Sequence, residues 1–194
     1  MAPRNTKPTK DKIIDAAFGL FYRQGYNQTT IDQVIEQSGV SRPTVYSHFS
    51  SKEDLCLEYL KERRTKELDV LKENARKAKS PKERYLAVVK TMADVLWRTD
   101  YRGCGFFNMI SEIPDINHRL VKEARGFVDS FREIIKDGVL DIKTSGPKYK
   151  NLDVDHVAEA YYLLVGGAIM GSQEYHEKWP AKRAIKIVEQ LIEK

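Results

Sequence analysis

The sequence predicts an all-α fold of about nine helices, and three observations predict it. Apolar residues recur at helical spacing through nearly every segment. No stretch alternates apolar and polar residues for long enough to make a sheet. Paired start and stop signals bracket the periodic segments. The first helix begins near Thr9 or Lys10 and stops at Gly25, with Ile13, Ile14, Ala17, Phe18 and Phe21 on its apolar face. Thr30 has the chemistry of an N-cap, and Gln33 stands three residues on to close a capping box. Ile31, Val34 and Ile35 make one apolar face of that second helix, and Gly39 supplies the left-handed residue that ends it. Ser41 can cap a third helix, with Pro43 tolerated in its first turn. Val45 and Phe49 face inward; Arg42, Thr44, Tyr46, Ser47 and His48 are left mostly outward, with no acidic residue on the helix.

Two short helices joined by a glycine turn have the layout of a helix-turn-helix, whose second helix enters the DNA major groove. The wider pattern is more specific. Phe21, Gly25-Tyr26, Thr29-Thr30, Gly39-Val40-Ser41, Thr44-Val45-Tyr46, Phe49 and Ser51-Lys52-Glu53-Asp54-Leu55 follow one another over residues 13–55. This run resembles the N-terminal domain of TetR-family transcriptional regulators. Pro43 departs from the Gly or Ala frequent there, and Ile35 and Ser38 from the frequent Ala. The resemblance implies a three-helix DNA-binding domain over 1–54 and a helical effector-binding and dimerisation domain over 55–194. It implies phosphate contacts from Thr29, Thr30, Tyr46 and Lys52. Base edges would be met by Arg42, Pro43, Thr44, Ser47 and His48.

The remaining elements read as follows. A long charged helix follows Ser50-Ser51 and runs to about Lys77. Ser80, Pro81 and Glu83 start the next, which carries Tyr85, Val88, Val89, Met92, Val95, Leu96 and Trp97. A break at 100–105 precedes a short helix at Phe106–Ile110. Pro114 marks a restart, and a helix extends from about Asp115 to Val139. Residues 144–152 read as a loop, Asp153 caps the next helix, and Trp179-Pro180 starts the last.

Composition narrows the class. The chain has 194 residues, 41% of them hydrophobic and 31% charged, with a net charge of +5. Residues 1–12 hold Arg4, Lys7, Lys10 and Lys12 against Asp11 alone, either a solvated tail or a basic arm for phosphates. No apolar run approaches the ~20 residues of a membrane span, no secretory signal opens the chain, and Cys56 and Cys104 make no disulfide framework. The expectation is a cytoplasmic protein without membrane contact. The four histidines are scattered, so no metal or cofactor is expected. No nucleophile turn, paired carboxylates or phosphate-cradling glycine loop supports an all-α enzyme, the competing class.

In the C-terminal half, Ala160, Leu164, Gly167, Ala168, Gly171, Ala184, Ile187, Val188 and Leu191 lie on two helices that, by the same resemblance, form a homodimer interface. Trp97, Phe106, Phe107, Phe127, Phe131, Tyr161, Tyr162 and Met109, with Asn108 and Glu112 as polar contacts, are the candidate effector pocket. They suit an apolar or aromatic small molecule. Cys104, between two glycines and beside Arg102, is either a structural thiol or a redox or electrophile sensor. The combined expectation is a homodimeric repressor on a palindromic double-stranded DNA operator, released by an unidentified effector.

Overall fold

The computed structural model of the chain describes residues 7–193. Among the described residues there are nine α-helices and one 3-10 turn, and no strand. The helices are α1 (Thr9–Gln24), α2 (Ile31–Ser38), α3 (Arg42–His48), α4 (Lys52–Arg76), α5 (Pro81–Arg98), α6 (Gly105–Glu112), α7 (Arg119–Thr144), α8 (Val154–Tyr175) and α9 (Trp179–Gln190), with the 3-10 turn at Pro147–Tyr149. No helix among them is long and apolar enough to cross a membrane. Arg4 of the basic arm lies outside the described residues.

The chain packs as two compact units. The N-terminal unit contains the residues up to Arg64 together with Gly105–Arg125; the C-terminal unit contains Thr65–Cys104 and the chain from Gly126 onward. The units therefore do not divide at a single cut between 54 and 55. The first ten residues of α4 beyond that point bury Leu55, Cys56, Tyr59 and Leu60 in the N-terminal unit. Burial pushes the Cys56 thiol up, so it stays protonated and acts as a small apolar filler. α6 and the start of α7 join the same unit. Arg119 bonds to Glu53 (3.3 Å) and Asp54 (2.8 Å), and Arg64 to Glu123 (3.3 Å).

Local signals account for most helix ends. Ser80 Oγ accepts from the Glu83 amide at 3.1 Å, and Asp153 from the His156 amide at 3.1 Å. Ser51 and Asp54 cap α4 reciprocally: the Asp54 amide donates to Ser51 Oγ (3.0 Å), whose hydroxyl donates to the carboxylate (2.8 Å). That bond and the one from Arg119 hold the Asp54 carboxyl below the usual range. α7 begins later than Pro114 suggests. Asp115–His118 forms a separate turn, closed by the His118 amide on the Asp115 carbonyl (3.0 Å), and His118 Nδ1 then accepts the Leu120 amide (3.2 Å).

The C-terminal unit is stitched by two buried tyrosines. The Tyr161 hydroxyl donates to the Tyr85 carbonyl (2.8 Å) and accepts from the Val89 amide (2.9 Å). The Tyr85 hydroxyl donates to the Val188 carbonyl (2.9 Å), and the two rings meet edge-on at 5.0 Å. α5, α8 and α9 are thereby locked through backbone groups that a helix end or a side chain rarely reaches. The hydroxyl of Tyr161, a candidate effector-pocket residue by sequence, makes two of these bonds.

Candidate nucleic-acid interface

The α2–α3 pair is built as its residues require. The Thr30 hydroxyl accepts from the Gln33 amide (3.3 Å), and Gln33 Oε1 accepts from the Thr30 amide (2.9 Å), so both halves of the capping box form. Gln24 Nε2 donates to the same Gln33 oxygen at 2.9 Å, which ties the box to the end of α1. Gly39 ends α2 at φ +65°, and its amide donates to the Ile35 carbonyl. A Thr30→Ala variant is expected to lose about 1 kcal/mol, measured by denaturant unfolding. An unchanged midpoint would show that the cap carries no weight.

α3 buries Val45 and Phe49 and exposes Arg42, Pro43, Tyr46, Ser47 and His48. Thr44 is half-buried. Its hydroxyl lies 2.7 Å from that of Ser41, while its carbonyl accepts from Ser47 Oγ at 2.8 Å. Ser41 makes no side-chain cap bond to the α3 backbone; it is engaged with Thr44 instead. Arg42 is paired with Asp32 of α2 (2.5 Å), a carboxylate that is 70% exposed. An exposed pair of this kind is worth only ~0–1 kcal/mol, so Arg42 exchanges Asp32 for DNA at small cost. Replacing Asp32 by Asn removes a charge that repels phosphate. Such a protein should bind duplex DNA a few-fold more tightly at low salt, by fluorescence anisotropy.

Two residues expected at phosphates have internal duties. Thr29 is fully buried; its hydroxyl donates to the Gly25 carbonyl at 2.6 Å. It shapes the turn between α1 and α2, so it does not reach a phosphate from this position. Lys52 is half-buried. Its ammonium donates to the carbonyls of Tyr26 and Thr29, both at 3.0 Å, and stands 4.2 Å above the Tyr26 ring. An ammonium has three protons, so one remains for a phosphate. Lys52→Ala is therefore expected to lower stability by about 1 kcal/mol. It should also flatten the slope of log affinity on log salt by about one. A stability loss with an unchanged slope would confine Lys52 to the fold. Lys7 and Lys10 are likewise paired, with Asp15 and with Glu58 at 2.7 Å.

The structure adds Asn27 and Arg63, which the sequence did not single out, and gives Glu112 a contact in the N-terminal unit. The backbone amide of Asn27 donates to Glu112 Oε2 (3.1 Å), and Asn27 Nδ2 donates to the Glu112 carbonyl (3.2 Å). The end of α6 thus holds the loop before α2. Arg63 is buried, donates to the Tyr59 hydroxyl at 3.1 Å, and stacks over Tyr22 (4.3 Å), Phe18 (5.1 Å) and Phe106 (5.9 Å). Residues 27 and 112 are too far apart in sequence for any local signal to pair them.

The expected effector residues separate. Phe106, Phe107, Asn108, Met109 and Glu112 belong to α6 and the N-terminal unit. Trp97, Phe127, Phe131, Tyr161 and Tyr162 belong to the C-terminal unit. Phe127 and Phe131 stack at 6.1 Å, and Arg132 lies over Tyr162 at 5.7 Å. Cys104 is buried. Of the expected dimer residues, Ala168, Ala184 and Val188 are buried within the chain. Gly171 is where α8 meets α9 of the same chain, since a Cβ there would lie 3.2 Å from Pro180. Ala160, Leu164, Ile187 and Leu191 are half-buried and Gly167 is exposed. Among the described residues no group of three or more His, Cys, Asp or Glu is placed to hold a metal.

Residues 13–59 match the family model of bacterial regulatory proteins of the tetR family. The chain is 28% identical over 134 residues to the HTH-type transcriptional regulator QacR of Staphylococcus aureus, covering 68% of this chain and 71% of that protein. It is 27% identical over 176 residues to the biofilm operon icaADBC HTH-type negative transcriptional regulator IcaR of the same species, covering 79% and 82%. The crystal structure of SCO4454, a TetR-family regulator from Streptomyces coelicolor, superposes with a TM-score of 0.86 at 21% identity, covering 95% of this chain and 94% of that one. With the capped α2, the glycine turn and the outward face of α3 in place, residues 13–59 are identified as a domain of the tetR family of bacterial regulatory proteins, and the chain as a whole is similar to transcriptional regulators that carry it.

Proposed function

We propose that the protein is a homodimeric repressor that a small apolar or aromatic effector releases from a palindromic operator. The observation that carries the DNA-binding part is the face of α3, exposed at Arg42, Pro43, Tyr46, Ser47 and His48 and anchored from behind by Val45 and Phe49. Thr30, at the capped start of α2, and Tyr46 are the phosphate contacts, with the remaining proton of Lys52. Thr44 and Ser47 sit among the base-facing residues. The name of the relative IcaR, a negative regulator, supports the sign.

Self-association rests on exposed apolar residues of α8 and α9. Leu163, Met170, Tyr175 and Trp179 are 69%, 62%, 60% and 52% exposed on α8 and α9, with Gly167 between them. Leu163, Gly167 and Met170 follow one another at i, i+4 and i+7 on α8, and the Tyr175 and Trp179 rings meet at 5.7 Å; exposed large apolar residues mark an interaction surface, and a two-fold operator requires a two-fold protein. A Cβ at Gly167 meets no atom of its own chain within 4 Å. Gly167→Leu should therefore leave the protomer folded and act on the dimer alone. Sedimentation is expected to show a dimer for the parent chain and a monomer for the variant at micromolar concentration. A monomeric parent chain would remove the dimer from the account.

The effector belongs to the C-terminal unit, whose Phe127, Phe131, Tyr162 and Trp97 supply aromatic surface. Its binding displaces α4 and changes the separation of the two recognition helices. Half-sites about 34 Å apart tolerate little change of that separation. About 1.4 kcal/mol of differential affinity gives each tenfold of release. The buried Cys104 thiol favours this reading over a thiol switch. A screen of hydrophobic compounds against the protein bound to its selected duplex tests it. Release by at least one aromatic compound is expected; release by oxidants and electrophiles alone would transfer the sensing to Cys104.

A further inference from the structure

We infer that the end of the C-terminal unit where α5 and α8 finish is a polar effector subsite. The Trp97 indole N–H and the Ser172 hydroxyl there receive acceptor oxygens carried on an apolar body. This rests on the reading that the C-terminal unit binds an effector, and it specifies that effector's chemistry.

Buried donors without an acceptor are rare because each costs its lost hydration. Among the described residues two buried side-chain polar atoms lack a partner, Trp97 Nε1 and Ser172 Oγ, and both belong to the C-terminal unit. Ser172 is fully buried. A helical serine usually settles the matter by donating to the carbonyl four residues back. Ser111 and Ser130 do so here, at 3.0 and 2.9 Å, and Ser172 does not.

The two donors lie at the same level. The Tyr161 hydroxyl fixes α8 against the backbone of residues 85 and 89 of α5. From there Trp97 is about 12–18 Å along α5 and Ser172 about 16 Å along α8, at 1.5 Å per residue. Lys178, just beyond the end of α8, holds its ammonium 5.0 Å over the Trp97 ring, so the two helices advance in the same direction. Eleven residues are close to three whole turns, so Ser172 shares the Tyr161 face. The segment after α5 covers that face. A Cβ on Gly103 would lie 2.6 Å from Gln173 Oε1 and 3.7 Å from Ile169, and the Tyr101 ring meets His176 at 5.7 Å. Ile169, Gln173 and His176 are the helical neighbours of Ser172.

Backbone strain concentrates in the same place. The three non-glycine residues with positive φ among the described residues are Asp100 (+50°), Tyr101 (+55°) and His176 (+51°). A tyrosine in that region is held there by its surroundings, and such residues gather at ligand sites. Indole N–H only donates, so the partner must accept. Lys178 adds positive charge at the rim. The matching ligand is a carbonyl or carboxylate oxygen on an aromatic or aliphatic body.

Calorimetry with naphthalene, 2-acetylnaphthalene and 2-naphthoate tests this on the full-length chain. The oxygen-bearing probes are expected to bind at least tenfold more tightly than naphthalene. Ser172→Ala and Trp97→Phe should each cut that preference to threefold or less, read as the ratio of oxygen-bearing probe to naphthalene in the same variant. Tighter binding of the carboxylate than of the ketone, lost in Lys178→Met, identifies the anionic source; equal binding identifies the neutral oxygen. Naphthalene binding as tightly as the other two, or a full preference surviving in both variants, overturns the subsite and leaves an apolar effector standing. No binding of any probe overturns the subsite and the effector reading together.

Discussion

Gly25→Ala is expected to destabilise the N-terminal unit by about 3 kcal/mol. Gly25 ends α1 at φ +91° and ψ 168°, a region open to glycine almost alone. That strain costs about 1–3 kcal/mol for a residue with a Cβ. The added carbon would also lie 2.5 Å from Glu112 Oε1. It must push the carboxylate off the Asn27 amide, which loses a charge-assisted bond worth roughly 1.5–3 kcal/mol when formed. The loop so released leads directly into the Thr30 cap, so DNA affinity should fall with stability. A double-mutant cycle with Glu112→Ala separates the two parts. The steric share vanishes when Glu112 is already gone, and the backbone share persists. A Gly25→Ala protein with parental stability would mean that the loop accepts another conformation without loss.

Arg63→Ala is expected to cost a similar amount, about 3–4 kcal/mol. The guanidinium lies in a box of Tyr22, Phe18, Phe106 and Tyr59, and it approaches Gly105 closely enough that a Cβ there would sit 3.2 Å from the guanidinium carbon. Truncation removes the cation from three ring faces, removes its bond to the Tyr59 hydroxyl and leaves a cavity between α1, α4 and α6. Arg63→Lys keeps the charge and loses the plane, so about half of the loss should remain. Thermal unfolding of both variants decides it. Equal stability of Arg63→Lys and the parent would reduce the box to a simple charge site.

The helix-turn-helix was legible because its determinants are local. A threonine, a glutamine three residues on and a glycine at the right offset can act only as a cap and a stop. Val45 and Phe49 can face only inward. What was not legible depends on residues far apart in sequence. Thr29 and Thr30 read alike as phosphate contacts, yet one hydroxyl closes the turn onto Gly25 and the other caps α2. Lys52 looks like a surface cation until the carbonyls of residues 26 and 29 are brought beneath it. Glu112 reads as a pocket residue from its neighbours in α6, and only the fold brings its carboxylate to Asn27. Small residues on α8 signal close approach but not which helix approaches. Gly171 meets Pro180 of its own chain, whereas Gly167 faces outward.

The central claim is sequence-specific binding of duplex DNA through α3 by a two-fold protein. Selection of bound duplexes from a random library by the full-length chain tests it most directly. The expected outcome is enrichment of one palindromic sequence with half-site centres about 34 Å apart. Arg42→Ala should relax the preference at defined positions of each half-site, while Lys52→Ala weakens all sequences alike. Enrichment of no sequence above the starting library, or of a motif unchanged by substitutions across the exposed face of α3, would contradict the account.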